Sequence, residues 1–517
     1  MRQLNPCESS RSILKSRLHS EPPVNALSIQ PTLAVAAILA LFAMFGCRPP
    51  DDRAESVPIP LSEQDALDRG EADIDPSRPA DANSASKPDG ADNHEARETA
   101  GRESATSDLP TEAVPLDPGP NDWPWWRGPT LNNHAAEGVD PPLRWSTEEN
   151  VVWVSDVPGR GHGSPCIRGD RIFLPTAVDD DEMQLLLCYD RKTGEQLWQC
   201  ELHRGEFMRM HRKNSQASAT PMCDGRYVFI PMMNDEGIWL TAVDLEGNIA
   251  WQVEAGPYTS EHGYGGSPMP WKDWVLVAGD NEKTGFLAAV HRATGKIVYR
   301  ITRPEEHNYG TPIAAEVAGR PQLVIPGPQK VFSYNPNNGE LLWTCDGPTD
   351  RAANTPTIGR ESVYVTAGYP KRKLMCIRAD GNGDVTSTHV AWEFQHRREA
   401  GYVPSLLLVA QRLYMANDEG LVFCFDAKTG DELWRHDFDT AFSASPVLAD
   451  GRIYLLDEQG VTFVFEESDE FNLMAKNDLQ DRGYATPVPL TADGPGTPGR
   501  LYLRTEHKLW CLGERGE

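Results

Sequence analysis

Residues 443–460 read SASPVLADG RIYLLDEQG, and the order of signals in this stretch decides the fold. Ser445-Pro446 opens a short apolar run, Asp450-Gly451 turns it, Arg452 to Leu456 forms a second run, and Asp457 to Gly460 turns again. Short apolar runs between Gly and Asp clusters are strands joined by tight turns. In the preceding period a third strand ends in the turn Asp426 to Gly430 (DAKTG), and a fourth strand carries Trp434. Four short strands in this order make one small antiparallel sheet.

The same grammar recurs along the chain. Its anchors are Ser164-Pro165, Thr220-Pro221, Ser267-Pro268, Thr311-Pro312, Thr355-Pro356, Pro404 after Val403, Ser445-Pro446 and Thr486-Pro487. Successive prolines lie 56, 47, 44, 44, 48, 42 and 41 residues apart, a period that suits four-stranded propeller blades. Turn-plus-aromatic units repeat in register at Asp190 to Trp198, Asp244 to Trp251, His291 to Tyr299, Asn335 to Trp343 and, lengthened, Asp380 to Trp392. The eighth period, from Pro487 through Lys508 to Cys511, has three strands, and an orphan fourth-strand segment, Asn150 to Ser155, precedes the first anchor. The expected fold is therefore all-β: an eight-bladed propeller of four-stranded antiparallel blades, closed by an N-terminal strand that completes the last blade.

The remainder of the chain is read differently. Residues 31–46 are an uncharged apolar run after a segment bearing Arg2, Arg11, Lys15 and Arg17, which is a signal-peptide layout. Met44-Phe45-Gly46-Cys47 resembles a lipobox, so residues 1–46 are expected to be a signal peptide and Cys47 a lipidation site. Residues 48–122 hold 19 acidic against 7 basic residues, many Pro, Ala and Ser, and no aromatic residue. Such a composition cannot offset its ordering entropy, and residues 47–122 are assigned as a disordered linker ahead of a propeller at 123–517. A net charge of -27 argues against nucleic acid as a partner.

Of the ten cysteines, the eight from Cys166 onward fall within the repeats. Cys188, Cys376, Cys424 and Cys511 fall where other blades place Ala242, Ala289, Ser333 and Val464, a slot for a small buried residue. With no Cys-x-x-Cys pair, zinc and c-type haem lack support; the Glu261-His262 and Glu306-His307 pairs have no third ligand fixed by spacing, and no metal site is expected.

Polar chemistry gathers in the segments that lead into each Ser/Thr-Pro step. They supply His162; His211, Arg212, Lys213, Asn214 and Gln216; Glu261, His262 and Tyr264; Glu306, His307 and Tyr309; Arg351 and Asn354; Arg397, Arg398 and Tyr402; and Arg482 and Tyr484. In a propeller these segments converge at one mouth of the channel, which makes them candidates for ligand binding. The tyrosines recur at near-equivalent places, so packing between blades is the alternative for them. Hairpins at Asp179 to Glu182, Asn234 to Glu236, Asp280 to Glu282, Asn417 to Glu419 and Asp457-Glu458 are expected to put an acidic rim on the same face.

The Ser-Pro, strand, Asp-x-x-Thr-Gly-x-x-x-Trp grammar resembles the pyrroloquinoline quinone (PQQ)-like repeat of quinoprotein alcohol dehydrogenases and of BamB-type lipoproteins of outer-membrane protein assembly. The resemblance spans residues 123–517 and implies one of two roles. One is an exported, lipid-anchored, non-catalytic scaffold facing the periplasm or cell exterior, monomeric, binding an envelope protein or small surface ligand. The other is an oxidoreductase carrying PQQ and calcium on the propeller axis. Family dehydrogenases hold their quinone beneath a vicinal disulfide; no two cysteines here are adjacent, so no cofactor is expected.

Overall fold

The computed structural model describes residues 109–347, 351–368, 372–396 and 398–514. The assigned signal peptide, Cys47 and the linker up to residue 108 lie outside the described residues, as does Arg397. Eight sheets follow one another along the chain, each built of four antiparallel strands, with Gly383–Asp384 added parallel to the edge of the fourth; strands run in sequence order in all but the last. Blade 1 spans 166–204, blade 2 222–257, blade 3 269–303, blade 4 313–346, blade 5 357–395, blade 6 407–437 and blade 7 447–478. Blade 8 consists of Val488–Thr491, Gly499–Arg504 and Lys508–Leu512, with Val151–Asp156 as its outer strand, so that Trp153 faces Cys511.

The strands are apolar on both faces because both faces are covered. In blade 1, Leu185 and Leu187 pack toward blade 8, while Leu186 and Cys188 pack toward blade 2. A strand buried on both sides reads as a continuous apolar run, and Leu185-Leu186-Leu187 does so. The outermost strands have one wet face, and the fourth strand of blade 5 alternates half-buried with exposed residues throughout.

Hydrogen bonds link the anchors around the axis at seven of the eight steps; at the remaining one Thr355 Oγ1 accepts from Trp126 Nε1. Ser164 donates its N–H to Thr220 Oγ1 at 2.9 Å, Thr220 to Ser267 Oγ at 2.9 Å, and Ser267 to Thr311 Oγ1 at 2.9 Å. Thr355 donates to Ser405 Oγ, Ser405 to Ser445 Oγ, Ser445 to Thr486 Oγ1, and Thr486 back to Ser164 Oγ. The sixth anchor is corrected by this geometry: the hydroxyl that serves the ring is Ser405, after Pro404, whereas Val403 before it has none to give. At these seven steps the hydroxyl accepts the N–H of the preceding blade's anchor, which is why Ser and Thr recur there.

Most fourth-strand aromatics reach the following blade, whereas Trp343 of blade 4 donates to Gln322 Oε1 of its own blade. Trp153 donates Nε1–H to Arg191 O, Trp198 to Leu245 O, Trp251 to Arg292 O and Trp434 to Ser468 O, each at 2.9–3.1 Å. These acceptors belong to the Asp-x-x-Thr-Gly turns and their equivalents, and the turn glycine lies under the ring: a Cβ on Gly194 (φ 74°) would sit 2.5 Å from Trp153. Opposite each aromatic is the small third-strand residue predicted from the repeat, Cys188 against Trp198, Cys376 against Trp392 and Cys424 against Trp434. The eight cysteines of the described residues are free and buried.

Candidate functional site

The segments joining one blade to the next and the hairpins between second and third strands share one face. Asn234 Nδ2 donates to Gly205 O, Asn281 Nδ2 to Pro257 O, and Asn417 Nδ2 to Arg398 O and Glu399 O, each tying a hairpin to a crossover segment. The hairpins form an acidic rim only in part. Asp179 to Glu182, Asp235, Glu236, Glu282 and Glu419 are exposed. Asp280, Asp457 and Glu458 are buried, a correction to the sequence expectation. Arg303 clamps Asp280 through Nε and Nη2 at 2.7 and 2.6 Å, and Asp457 accepts the N–H groups of Gln459 and Val461. A carboxylate that organises its own turn or pairs internally is not available at a rim.

The 56-residue first interval is long because its surplus forms a strap over the mouth. Residues 205–216 leave blade 1, and Lys213 Nζ reaches Glu458 Oε2 of blade 7 at 3.4 Å. Arg160 donates to Arg212 O at 2.9 Å, and Asn214 Nδ2 donates to His262 O at 2.7 Å. Gln216 is buried and donates to Met208 O. His211, Arg212 and Lys213 are exposed, so the strap carries cations across a molecule that is acidic overall.

Next to the strap runs an arc of rings contributed by successive blades. His211 stacks on His262 at 5.9 Å, His262 lies 5.8 Å from Tyr309, and Tyr309 stacks on His307 at 5.8 Å. His307 is 7% exposed, with Nε2 3.0 Å from Glu282 Oε1. Burial, then the nearby Arg351, His211 and His307, lower the pKa of His262. Nδ1 of His262, Nδ1 of His307 and Oδ1 of Asn354 are buried without a hydrogen-bond partner, while Asn354 Nδ2 donates to Tyr402 O. Further round, Arg372 sits over the Tyr402 ring at 6.0 Å, and burial pushes the Tyr402 hydroxyl up to about 12. Arg482 lies over Tyr484 at 5.8 Å, and His162 stacks on Tyr484 at 4.3 Å. Glu261, Glu306 and Arg398 are exposed and Arg351 is half-buried. Tyr264 is turned away: it is 7% exposed and its hydroxyl donates to Ala278 O, so it packs the seam between blades 2 and 3.

The repeat gives no sign of what fills the axis from the opposite face. Trp123 pairs with Ile167 of blade 1, and Pro124 O accepts the N–H of Cys223 in blade 2. The chain then crosses the ring: Trp126 donates Nε1–H to Thr355 Oγ1 of blade 5, and Arg127 donates to Thr357 Oγ1 and Leu406 O. Arg127 is fully buried, and burial lowers its pKa to about 9. Residues inside the stretch assigned as linker also lie on blades, with Glu112 O, Val114 O and Asp117 O accepting from Arg226, Arg292 and Arg168. The available signal was compositional, an aromatic-rich Trp123 to Arg127 that no blade uses.

Among the described residues no three His, Cys, Asp or Glu side chains are grouped to hold a metal ion, and the axis is occupied by Trp126 and Arg127. Asp380-Gly-Asn382-Gly-Asp384, whose spacing of acids and amide resembles a calcium loop, is a structural turn: Gly383 and Asp384 pair with Trp343 and Thr344, and Asp384 caps Thr386. The residues present do not fit quinone and calcium.

The family model of outer membrane protein assembly factor BamB matches residues 145–263, 235–401 and 384–470. The chain is 23% identical over 301 residues to the outer membrane protein assembly factor BamB of Yersinia pestis, covering 55% of this chain and 69% of the relative. Among solved structures it is similar to BamB from Moraxella catarrhalis, at 15% identity, with 70% of this chain and 99% of that chain covered and a TM-score of 0.49. A quinohemoprotein alcohol dehydrogenase from Pseudomonas putida aligns at 11% identity over 79% of this chain and 84% of that one, with a TM-score of 0.53, a likeness of fold alone.

Proposed function

This chain belongs to the family of outer membrane protein assembly factor BamB, and from that membership we propose that it is a non-catalytic binding module of the cell envelope whose recognition surface is the strapped mouth. The observation that carries this reading is the set of unpartnered polar atoms there. His262 Nδ1, His307 Nδ1 and Asn354 Oδ1 come from three successive crossover segments and lack partners among the described residues. Leaving such groups unpaired costs about 1–3 kcal/mol each, and groups from a bound segment would satisfy them. The exposed cations of the strap add attraction for a partner with acidic side chains. Lipid attachment at Cys47 and the acidic tether would hold this surface near a membrane while letting it turn.

The test places a photo-crosslinking residue at Tyr402 or Arg398 on the mouth and at Asp273 on the opposite face, in living cells. The expected result is capture of an envelope protein from the mouth positions and none from Asp273. Equal capture from both faces, or none from the mouth, overturns the reading. Incubation with PQQ and calcium should leave no quinone absorbance after gel filtration; alcohol-dependent dye reduction would replace the scaffold with an oxidoreductase.

A further inference from the structure

Buried guanidinium groups in this ring are answered in different ways. Arg303 is bound by Asp280, and Arg292 pairs with Asp224. Arg127 spends Nε and Nη2 on Leu131 O, Asn132 Oδ1, Thr357 Oγ1 and Leu406 O, with Nη1 buried and unpartnered among the described residues. Arg504, at the end of the second strand of blade 8, is 1% exposed and has no such set. Its Nη1 donates to Pro175 O and to Gly163 O, but Nε and Nη2 are buried without a partner. Among the described residues no carboxylate pairs with it.

The surroundings of Arg504 are built from the opposite side of the ring's seam, by blade 1 and the segment before it. A Cβ on Gly161 would collide with Arg504 Nη2, so the Gly161-His162-Gly163 step wraps the guanidinium. His162 Nε2 is buried without a partner, and so is Arg160 Nε, whose nearest carboxylate, Glu506 Oε1, is 3.7 Å away. Arg160 and Arg504 both act electrostatically on the His162 imidazole; Arg160 is part-exposed and answered by Glu506, whereas the Arg504 charge is buried with no carboxylate partner among the described residues. A guanidinium cannot shed its proton in a protein, and a buried unpaired charge costs several kcal/mol.

We propose that the seam between blades 8 and 1 holds a small monovalent anion, a free halide or the carboxylate of a bound molecule, against Arg504 Nε and Nη2 and His162 Nε2, with Arg160 on its mouth side. This site lies beneath the mouth, behind the stack of His162 on Tyr484, and needs no protein bound there. Burial, then Arg160 and Arg504, hold the imidazole of His162 down to about 3, so it is neutral and can present Nε2–H. The stack of His162 on Tyr484 covers the seam toward the mouth.

The test compares thermal unfolding of the exported chain in sodium gluconate, chloride, bromide and acetate at fixed ionic strength. Gluconate is too bulky to enter. Wild-type protein should melt about 2 °C or more higher in chloride or bromide than in gluconate, with saturation, and Arg504→Gln should respond to none of them. A bromide anomalous peak beside Arg504 would fix the location. Stabilisation by acetate without halide identifies a carboxylate as the occupant. Should Arg504→Gln fail to fold, His162→Phe keeps the stack on Tyr484, removes one donor and should weaken halide binding at least severalfold. The proposal fails if wild type and variant respond alike to every anion and bromide leaves no density at Arg504.

Discussion

Thr486 donates its backbone N–H to Ser164 Oγ at 3.0 Å, joining blade 8 to blade 1 across 322 residues of sequence. Both residues are buried, at 4% and 3% exposure, so water cannot replace the acceptor. Ser164→Ala should therefore leave the Thr486 N–H unsatisfied and cost about 1–3 kcal/mol, read as a lower urea midpoint with an unchanged slope. Ser405→Ala should cost about as much, because Ser405 accepts from Thr355 in the same way. A silent Ser405→Ala would show that the ring is incidental.

The turn glycines make a sharper contrast. Gly194 has φ 74° with the Trp153 ring and Ser155 Oγ against it, whereas Gly169 has φ 57° with nothing within 4 Å. Ala at Gly169 meets only the left-handed backbone penalty, about 1–2 kcal/mol. Ala at Gly194 adds overpacking at the joint between blades 8 and 1, for a total of roughly 2–5 kcal/mol. Equal losses in chemical denaturation would mean that the aromatic does not seat on that turn.

What the sequence revealed, and what it withheld, follows from the range of each interaction. The anchors, the small residue opposite each aromatic and the turn glycines are legible because each serves a neighbouring blade at a fixed register, so one physical demand is written several times. The sixth anchor was misplaced because Ser/Thr-Pro is a proxy for a hydroxyl at a position in space, and Ser405 meets that demand from the other side of its proline. The strap was visible only as a long interval, since nothing local to Lys213 foretells Glu458 in blade 7. Arg504 gave no signal at all: its contact with Pro175 spans 329 residues and occurs once.

The strap is held by few interactions, and its tie to blade 7 is a salt bridge with Lys213 47% exposed. Such a pair is worth about 0.2–1 kcal/mol, so Lys213→Ala should barely move global stability. It should instead raise local opening, and trypsin should cut after Arg209 or Arg212 severalfold faster in the variant at equal melting temperature. Combining Lys213→Glu with Glu458→Lys should restore the wild-type rate. Unchanged cleavage in Lys213→Ala would place the hold on the strap elsewhere, in Asn214 and Arg160.

His162 and His507 should pull stability in opposite directions with pH. Burial first, then Arg160 and Arg504, lower the His162 pKa from 6.5 to about 3, so between those values the unfolded chain takes up a proton that the folded one refuses. Stability is then lost on acidification through that window, and His162→Gln should remove up to about 2 kcal/mol of the loss between pH 7 and 4.5. His507 is exposed, and its hydrogen bond to Asp481 raises its pKa. Its contribution is complete below the unfolded value of 6.5 and is lost as pH rises through the raised folded value, so His507→Gln should flatten stability on the alkaline side instead. Urea midpoints at pH 4.5, 6 and 8 in gluconate separate the two. Chloride should shrink the His162 effect, because an anion beside Arg504 favours the protonated imidazole and narrows the window over which the folded state refuses the proton.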